Sequence, residues 1–313
     1  MTGKTWVSGA LFAAGIFALF PSAAAAQSSW PEQCRLQRIA SFPITPYGQL
    51  FTVPVKINGV DKKFLVDTGG YASSLGENVA KQMGIALRNI FGVRHIDASG
   101  KSAEHYVIVD SFKLGAMEAT NFDLVAQALN GGDAFDGTLA PDLLRNFDVE
   151  IDYANKTMTL FKPHSCDNKA VYWTQAYLAL PMRITDSGHA RVEVALDGKN
   201  IDAILDTGAS FSFMTFNDAD SIFGLKPDSP GMTKAGTTVS AQGVGLDYYT
   251  YAFKTLSLGE ITLNHPRVRL YDGFGGSRSE GTALVMGMSE MHFLRLYFAY
   301  HERKLYVSTA DAH

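Results

Sequence analysis

Cysteine is nearly absent from this chain: Cys34 and Cys166 are the only two in 313 residues. Runs of Lys or Arg are missing as well, and the formal net charge of −4 is small. That balance argues against nucleic acid or an anionic membrane surface as a partner. Beyond the first 26 residues no stretch has the length and purity to span a bilayer. The eight histidines show no His-Glu-x-x-His or comparable ligand spacing, and no Gly-x-Ser-x-Gly elbow is present for a serine hydrolase. Gly243 and Gly245 lack a third glycine at 248, which is Tyr248, so a dinucleotide fingerprint fails. Gly100-Lys101-Ser102 looks like the end of a phosphate-binding loop, but His95 stands where that loop needs glycine.

What is present is a globular composition, 46% hydrophobic and 19% charged, which excludes a disordered or coiled-coil protein. The chain opens with Lys4, an apolar stretch from Val7 to Phe20, Pro21 as a breaker and small residues Ala23 to Ala26. This reads as a secretory leader over 1–26, cut before Gln27. The apolar run is shorter than the ~20 residues a membrane span requires. The mature protein is therefore expected to be exported, periplasmic or secreted, with no membrane association after cleavage. In an oxidising compartment the cysteine pair is expected to close a disulfide, Cys34 to Cys166. Closing so long a loop is worth about 4–5 kcal/mol in the chain-entropy model.

The decisive feature is an internal duplication. With Asp67 set over Asp206, Val53, Val55, Ile57 and Gly59 fall on Val192, Val194, Leu196 and Gly198 without a gap. Both stretches alternate apolar and polar residues and turn at Asn58-Gly59 or Asp197-Gly198, a hairpin signal. The strands that follow are apolar at every residue, Phe64-Leu65-Val66 and Ala203-Ile204-Leu205, which suits burial on both faces. Each ends in Asp-Thr-Gly. Further on, Leu114-Gly115 matches Leu258-Gly259, and Asn146 to Tyr153 lies over Phe293 to Tyr300. The pattern predicts an all-β protein: an extension over 27–44, a lobe over 45–163, a linker over 164–169 and a pseudo-symmetric lobe over 170–310. Helix is expected only in short pieces, Glu77 to Met83 and Pro141 to Arg145. Phe211, Phe213 and Phe216 are expected in the core, the alternative being that one of them lines a substrate pocket.

A lone Asp-Thr-Gly is an ordinary turn sequence. Two copies, each ending a buried strand at matching points of a duplicated chain, place two carboxylates where a pseudo-two-fold axis would bring them together. Here the chain resembles the pepsin and retropepsin superfamily of aspartic peptidases. The motifs are Phe64-Leu65-Val66-Asp67-Thr68-Gly69-Gly70 and Ala203-Ile204-Leu205-Asp206-Thr207-Gly208-Ala209-Ser210. The stretch that crosses behind the active site in that family is matched by Val285-Met286-Gly287. Thr138-Leu139-Ala140 matches it with Ala140 in place of the family's glycine.

The resemblance implies two pepsin- or retropepsin-type lobes with a cleft between them and an aspartic endopeptidase acting on extended polypeptide. Asp67 and Asp206 would be the catalytic pair, sharing one proton and activating a water. Thr68 and Thr207 would interlock across the axis, and Gly69 and Gly208 would admit close approach and donate N–H groups. No cofactor or metal is required, and two lobes in one chain remove the need to dimerise. Flap hairpins would cover the substrate, with candidates around Ser99-Gly100 and Gly243 to Gly245. Pepsin-type sites carry a hydroxyl one residue after the motif; Gly70 and Ala209 carry none, so the pair is expected to titrate higher than in pepsin. The alternative is a peptide-binding or narrowly specific processing protein of the cell envelope built on the same fold.

Overall fold

In the computed structural model, residues 36–90, 103–129, 134–163, 170–239, 245–271 and 282–310 are described. The leader, Cys34, Cys166, Ser99, Gly100 and Gly243 lie outside them. Among the described residues strands dominate, and the longest helix is the eight-residue Phe216–Phe223. No helix among them is long and apolar enough to cross a membrane.

Each lobe grows from the same hairpin. Leu50–Ile57 pairs with Val60–Val66 through Asn58 and Gly59, at φ 48° and 78°; Ala190–Leu196 pairs with Lys199–Leu205 through Asp197 and Gly198, at φ 46° and 76°. Two successive positive-φ residues match the twist of a two-residue hairpin, and Asn-Gly and Asp-Gly tolerate them best. The turn side chains are also used. Asn58 Oδ1 accepts from Ser111 N at 3.0 Å, and Asp197 Oδ1 from Lys254 N at 2.7 Å and Thr255 N at 2.9 Å. Both turns are thereby tied to the next strand of their own sheet.

The all-apolar strands are buried on both faces, as their composition requires. Phe64, Leu65 and Val66 lie beside the parallel strand Gly137–Leu139, and Ala203, Ile204 and Leu205 beside Leu284–Met286. Behind the lobes runs a six-stranded antiparallel sheet to which both contribute. Its order is Arg38–Pro43, Thr157–Phe161, Asp148–Asp152, Leu294–Ala299, Lys304–Thr309, Leu178–Pro181. The order is palindromic. Glu150 pairs with Tyr297, its own equivalent in the duplicated alignment, so the pseudo-two-fold axis passes between them. The segment read as an extension thus ends in an edge strand, Arg38–Pro43, the counterpart of Leu178–Pro181.

Helices Glu77–Gln82 and Pro141–Leu144 stand where the pattern put them. Phe216–Phe223 was not anticipated. Its signals are a capping Thr215, whose Oγ1 accepts from Asp218 N at 3.1 Å, and Gly224 in the left-handed conformation beyond its end.

Candidate active site

Asp67 and Asp206 sit one residue beyond the two buried strands, where the backbone is still held by the sheet. Asp67 N donates to Leu139 O and Asp206 N to Met286 O, both at 2.9 Å. The next residues lock the lobes together. Thr68 Oγ1 donates to Leu205 O and Thr207 Oγ1 to Val66 O, each at 2.7 Å. In return Thr68 N donates to Thr207 Oγ1 at 3.1 Å and Thr207 N to Thr68 Oγ1 at 3.0 Å. Both threonines are fully buried. Four reciprocal bonds therefore fix the register between the two loops.

The glycines make room for the opposing carboxyl. A methyl on Gly69 would lie 2.3 Å from Asp206 Cγ, and one on Gly208 would lie 2.4 Å from Asp67 Oδ1. Neither glycine needs a positive φ; the constraint is close approach across the axis. Each carboxyl thereby lies against the opposite lobe's loop, close enough that the charge of Asp206 acts on Asp67. Each aspartate retains an accessible edge while protein packs densely around the rest.

The carboxyls are not equivalent. Asp206 Oδ1 accepts from Gly208 N at 2.8 Å and Ala209 N at 3.1 Å, whereas Asp67 Oδ1 accepts from Gly69 N at 3.2 Å. Burial pushes Asp67 well above the ordinary aspartate range and the charge of Asp206 pushes the same way, against the opposing Gly69 and Gly70 amides. Burial also raises Asp206, but the Gly208 amide, the charge of His189 and the Ala209 amide oppose the rise. Donors favour the charged form of the acid they reach. Both carboxyls are nonetheless raised, and they titrate as a pair.

A mirrored serine network supports each loop. Ser73 Oγ accepts from Ala140 N at 3.0 Å and donates to Asp142 Oδ1 at 2.8 Å. Ser212 Oγ accepts from Gly287 N at 2.9 Å and donates to Glu290. The bond is thus kept although Ala140 replaces glycine. Ala140 Cβ has its space because Gly70 stands beside it, where a Cβ would lie 3.2 Å away, whereas a Cβ on Gly287 would meet the Phe211 backbone at 2.6 Å and Ala209 O at 2.8 Å.

His189 escaped the sequence reading. It is buried, its Nε2 lies 3.2 Å from Gly70 O in the other lobe, and its ring packs edge-on against Tyr71 at 5.0 Å. In the duplicated alignment its counterpart is Leu50; a lone histidine in one copy against leucine in the other was the available signal. The expectation of a core position is corrected for Phe211 and Phe213 and holds in part for Phe216. All three are half-buried; Phe216 packs on the core, but Phe211 lies under Arg269 and Phe213 against Tyr271. Arg269 and Tyr271 occupy alternate positions of a sheet strand, which turns both to one face beside Phe213.

Of the flap candidates, Gly245 opens the strand Gly245–Ala252, which pairs with Thr233–Val239 from Val239 onward. The lobe-one hairpin Arg88–Asn89 with His105–Leu114 occupies the matching place. Among the described residues no group of three or more His, Cys, Asp or Glu is placed to hold a metal ion.

The sequence matches a family model described as aspartyl protease over residues 53–142 and 192–289, one Asp-Thr-Gly in each segment. No curated protein matches. Among solved structures the chain is similar to conglutin gamma, a basic 7S globulin from lupine seeds. The two share 9% identity over 88% of this chain and 95% of that one, with a TM-score of 0.48.

Proposed function

Because this chain belongs to the aspartyl protease family, we propose that it is an endopeptidase whose catalytic pair is Asp67 and Asp206. The observation that carries the reading is the pair of buried carboxyls set against each other's loop, Asp206 at Gly69 and Asp67 at Gly208, by the Thr68–Thr207 interlock. Asp206, with the better supply of N–H donors, is the base that takes a proton from water. Asp67 donates to the scissile carbonyl oxygen as the hydroxide adds, giving a neutral tetrahedral diol. The proton on Asp206 then passes to the departing amide nitrogen as the C–N bond breaks, and a diol proton restores Asp67. Each carboxyl thus serves once as acid and once as base.

Substrate would bind as an extended strand through its main chain. Export through the 1–26 leader is part of the same proposal. It predicts mature protein in the envelope or medium beginning at Gln27. The activity test is a mass-spectrometric digest of an unfolded protein mixture by the wild type, Asp67→Asn and Asp206→Asn. Either substitution should lower kcat by at least ~1000-fold, since neither carboxyl alone completes the proton circuit. Cleavage products unchanged in both variants would end the peptidase reading. Peptide binding without any cleavage would leave the fold as a binding module.

A further inference from the structure

One face of the second lobe carries a feature that proton transfer does not use. The strands Phe213–Thr215, Arg267–Tyr271 and Gly245–Ala252 lie side by side, with Phe213 opposite Arg269, Thr250 opposite Arg269 and Tyr248 opposite Tyr271. Opposed residues share a face. Val268, Leu270 and Met214 therefore fill the core, while Phe213, Arg269, Tyr271 and Tyr248 stand half-buried on the other side. The Arg269 guanidinium is stacked, with Cζ 3.6 Å from the Phe211 ring centre and 4.9 Å from that of Tyr248. Among the described residues it forms no ion pair. Phe211 and Tyr248 flank the guanidinium, whose N–H edge is of the kind that matches a carboxylate bidentately.

The platform is close to the scissile position. Phe211 lies five residues after Asp206, at most about 17 Å along an extended chain. Arg269 N donates to Ser212 O at 2.9 Å. A bound strand advances ~3.3 Å per residue, so the guanidinium is within reach of a side chain a few residues from the cut.

The first lobe has no counterpart. There Ser74 stands opposite Val125, and Val125 opposite Tyr106, so Val125 occupies the register position of Arg269. Ala72 and Gln127 take the places of Phe211 and Tyr271. A substrate lying across the pseudo-two-fold axis meets a cation in one lobe and a methyl-bearing surface in the other.

We infer that Phe211, Tyr248 and Arg269 form a subsite for an acidic side chain, Asp or Glu, at one position on one side of the scissile bond. The inference rests on the peptidase reading for its place along the substrate. A carboxylate also occurs at a peptide's C-terminus, and the asymmetry favours the side chain because the platform lies beside the strand's path.

The test uses the mature full-length protein and sets of peptides differing only by Glu, Gln or Lys at each position around one cut, each made with free and amidated C-termini. The wild type should prefer Glu to Gln by about tenfold in kcat/KM at a single position, mainly through KM, whether or not the C-terminus is amidated. Arg269→Gln should bring that ratio close to one, and Arg269→Glu should turn the preference to Lys; thermal melts verify that both variants fold. In parallel, binding of the same peptides to the Asp206→Asn protein is measured. Cleavage with no Glu preference, a preference that survives Arg269→Gln, or one that follows the free C-terminus overturns the subsite and leaves the peptidase reading standing. Glu-selective binding without cleavage by the wild type retains the subsite and removes the peptidase. Neither binding nor cleavage removes both.

Discussion

At the scale of single residues, the site is costly to the fold. Desolvation raises both aspartates, so the native state holds a proton that the unfolded chain releases. Such a group stabilises least where its unfolded form is ionised: stability falls as pH rises from the unfolded value of 3.8 through the folded one. Asp67→Asn removes this loss. Its melting temperature at pH 7 should exceed the wild type's by a few degrees, and the gap should close below about pH 4. An unchanged or lower melting temperature at pH 7 would contradict the raised titration of Asp67. His189 works in the opposite sense, since its charge lowers Asp206. In His189→Gln that help is gone, Asp206 binds its proton more tightly, and the acidic limb of the kcat/KM profile should move to higher pH. A limb that stays in place removes His189 from the site's electrostatics.

At the scale of elements, the six-stranded sheet behind the cleft is what makes two lobes one body. Its middle pair carries a charge cluster: Arg295 Nε donates to Glu150 at 2.8 Å and Arg295 Nη1 to Asp152 at 2.8 Å, with both carboxylates nearly fully buried. Tyr172 Oη also donates to Glu150 at 2.7 Å, and Trp173 covers the guanidinium at 4.4 Å. The segment that follows the linker is thereby fastened over the sheet. Replacing such a cation leaves two buried carboxylates uncompensated, so Arg295→Met should cost about 3–5 kcal/mol of unfolding free energy. Denaturant titration would register this as a lower midpoint, and a loss under ~1 kcal/mol would show the cluster to be solvated. Element-level reading from sequence worked where periodicity and turn chemistry agree, as at Asn58-Gly59 and Asp197-Gly198. It failed for Phe216–Phe223, because the three phenylalanines before and at its start masked the Thr215 to Asp218 cap.

At the scale of the whole molecule, the duplication made the lobes and the paired aspartates legible before any coordinates, since a gapless alignment of two motifs implies an axis. The Arg269 platform and His189 were not legible, because each breaks the symmetry that guided the reading and depends on which strands become neighbours. Even the two departures noted beside the motifs, Gly70 and Ala140, proved to be linked, since a Cβ at residue 70 would crowd the Ala140 methyl. The pH range of activity also belongs to this scale, because the dyad exists only when the lobes meet. No hydroxyl stands at residue 70 or 209, and backbone amides reach both carboxyls, Gly208 and Ala209 at Asp206 and Gly69 at longer range at Asp67. Burial, joined at Asp67 by the charge of Asp206, exceeds what those amides offset, which leaves both aspartates raised. Catalysis requires one proton on the pair, so the active window lies between the two macroscopic pKa values and moves up with them. The kcat/KM profile should therefore peak at mildly acidic to neutral pH. Restoring the hydroxyl with Ala209→Ser should draw the acidic limb downward, by stabilising the Asp206 carboxylate. A wild-type profile peaking near pH 2, or an acidic limb that rises in Ala209→Ser, would show that the missing hydroxyls do not set the range.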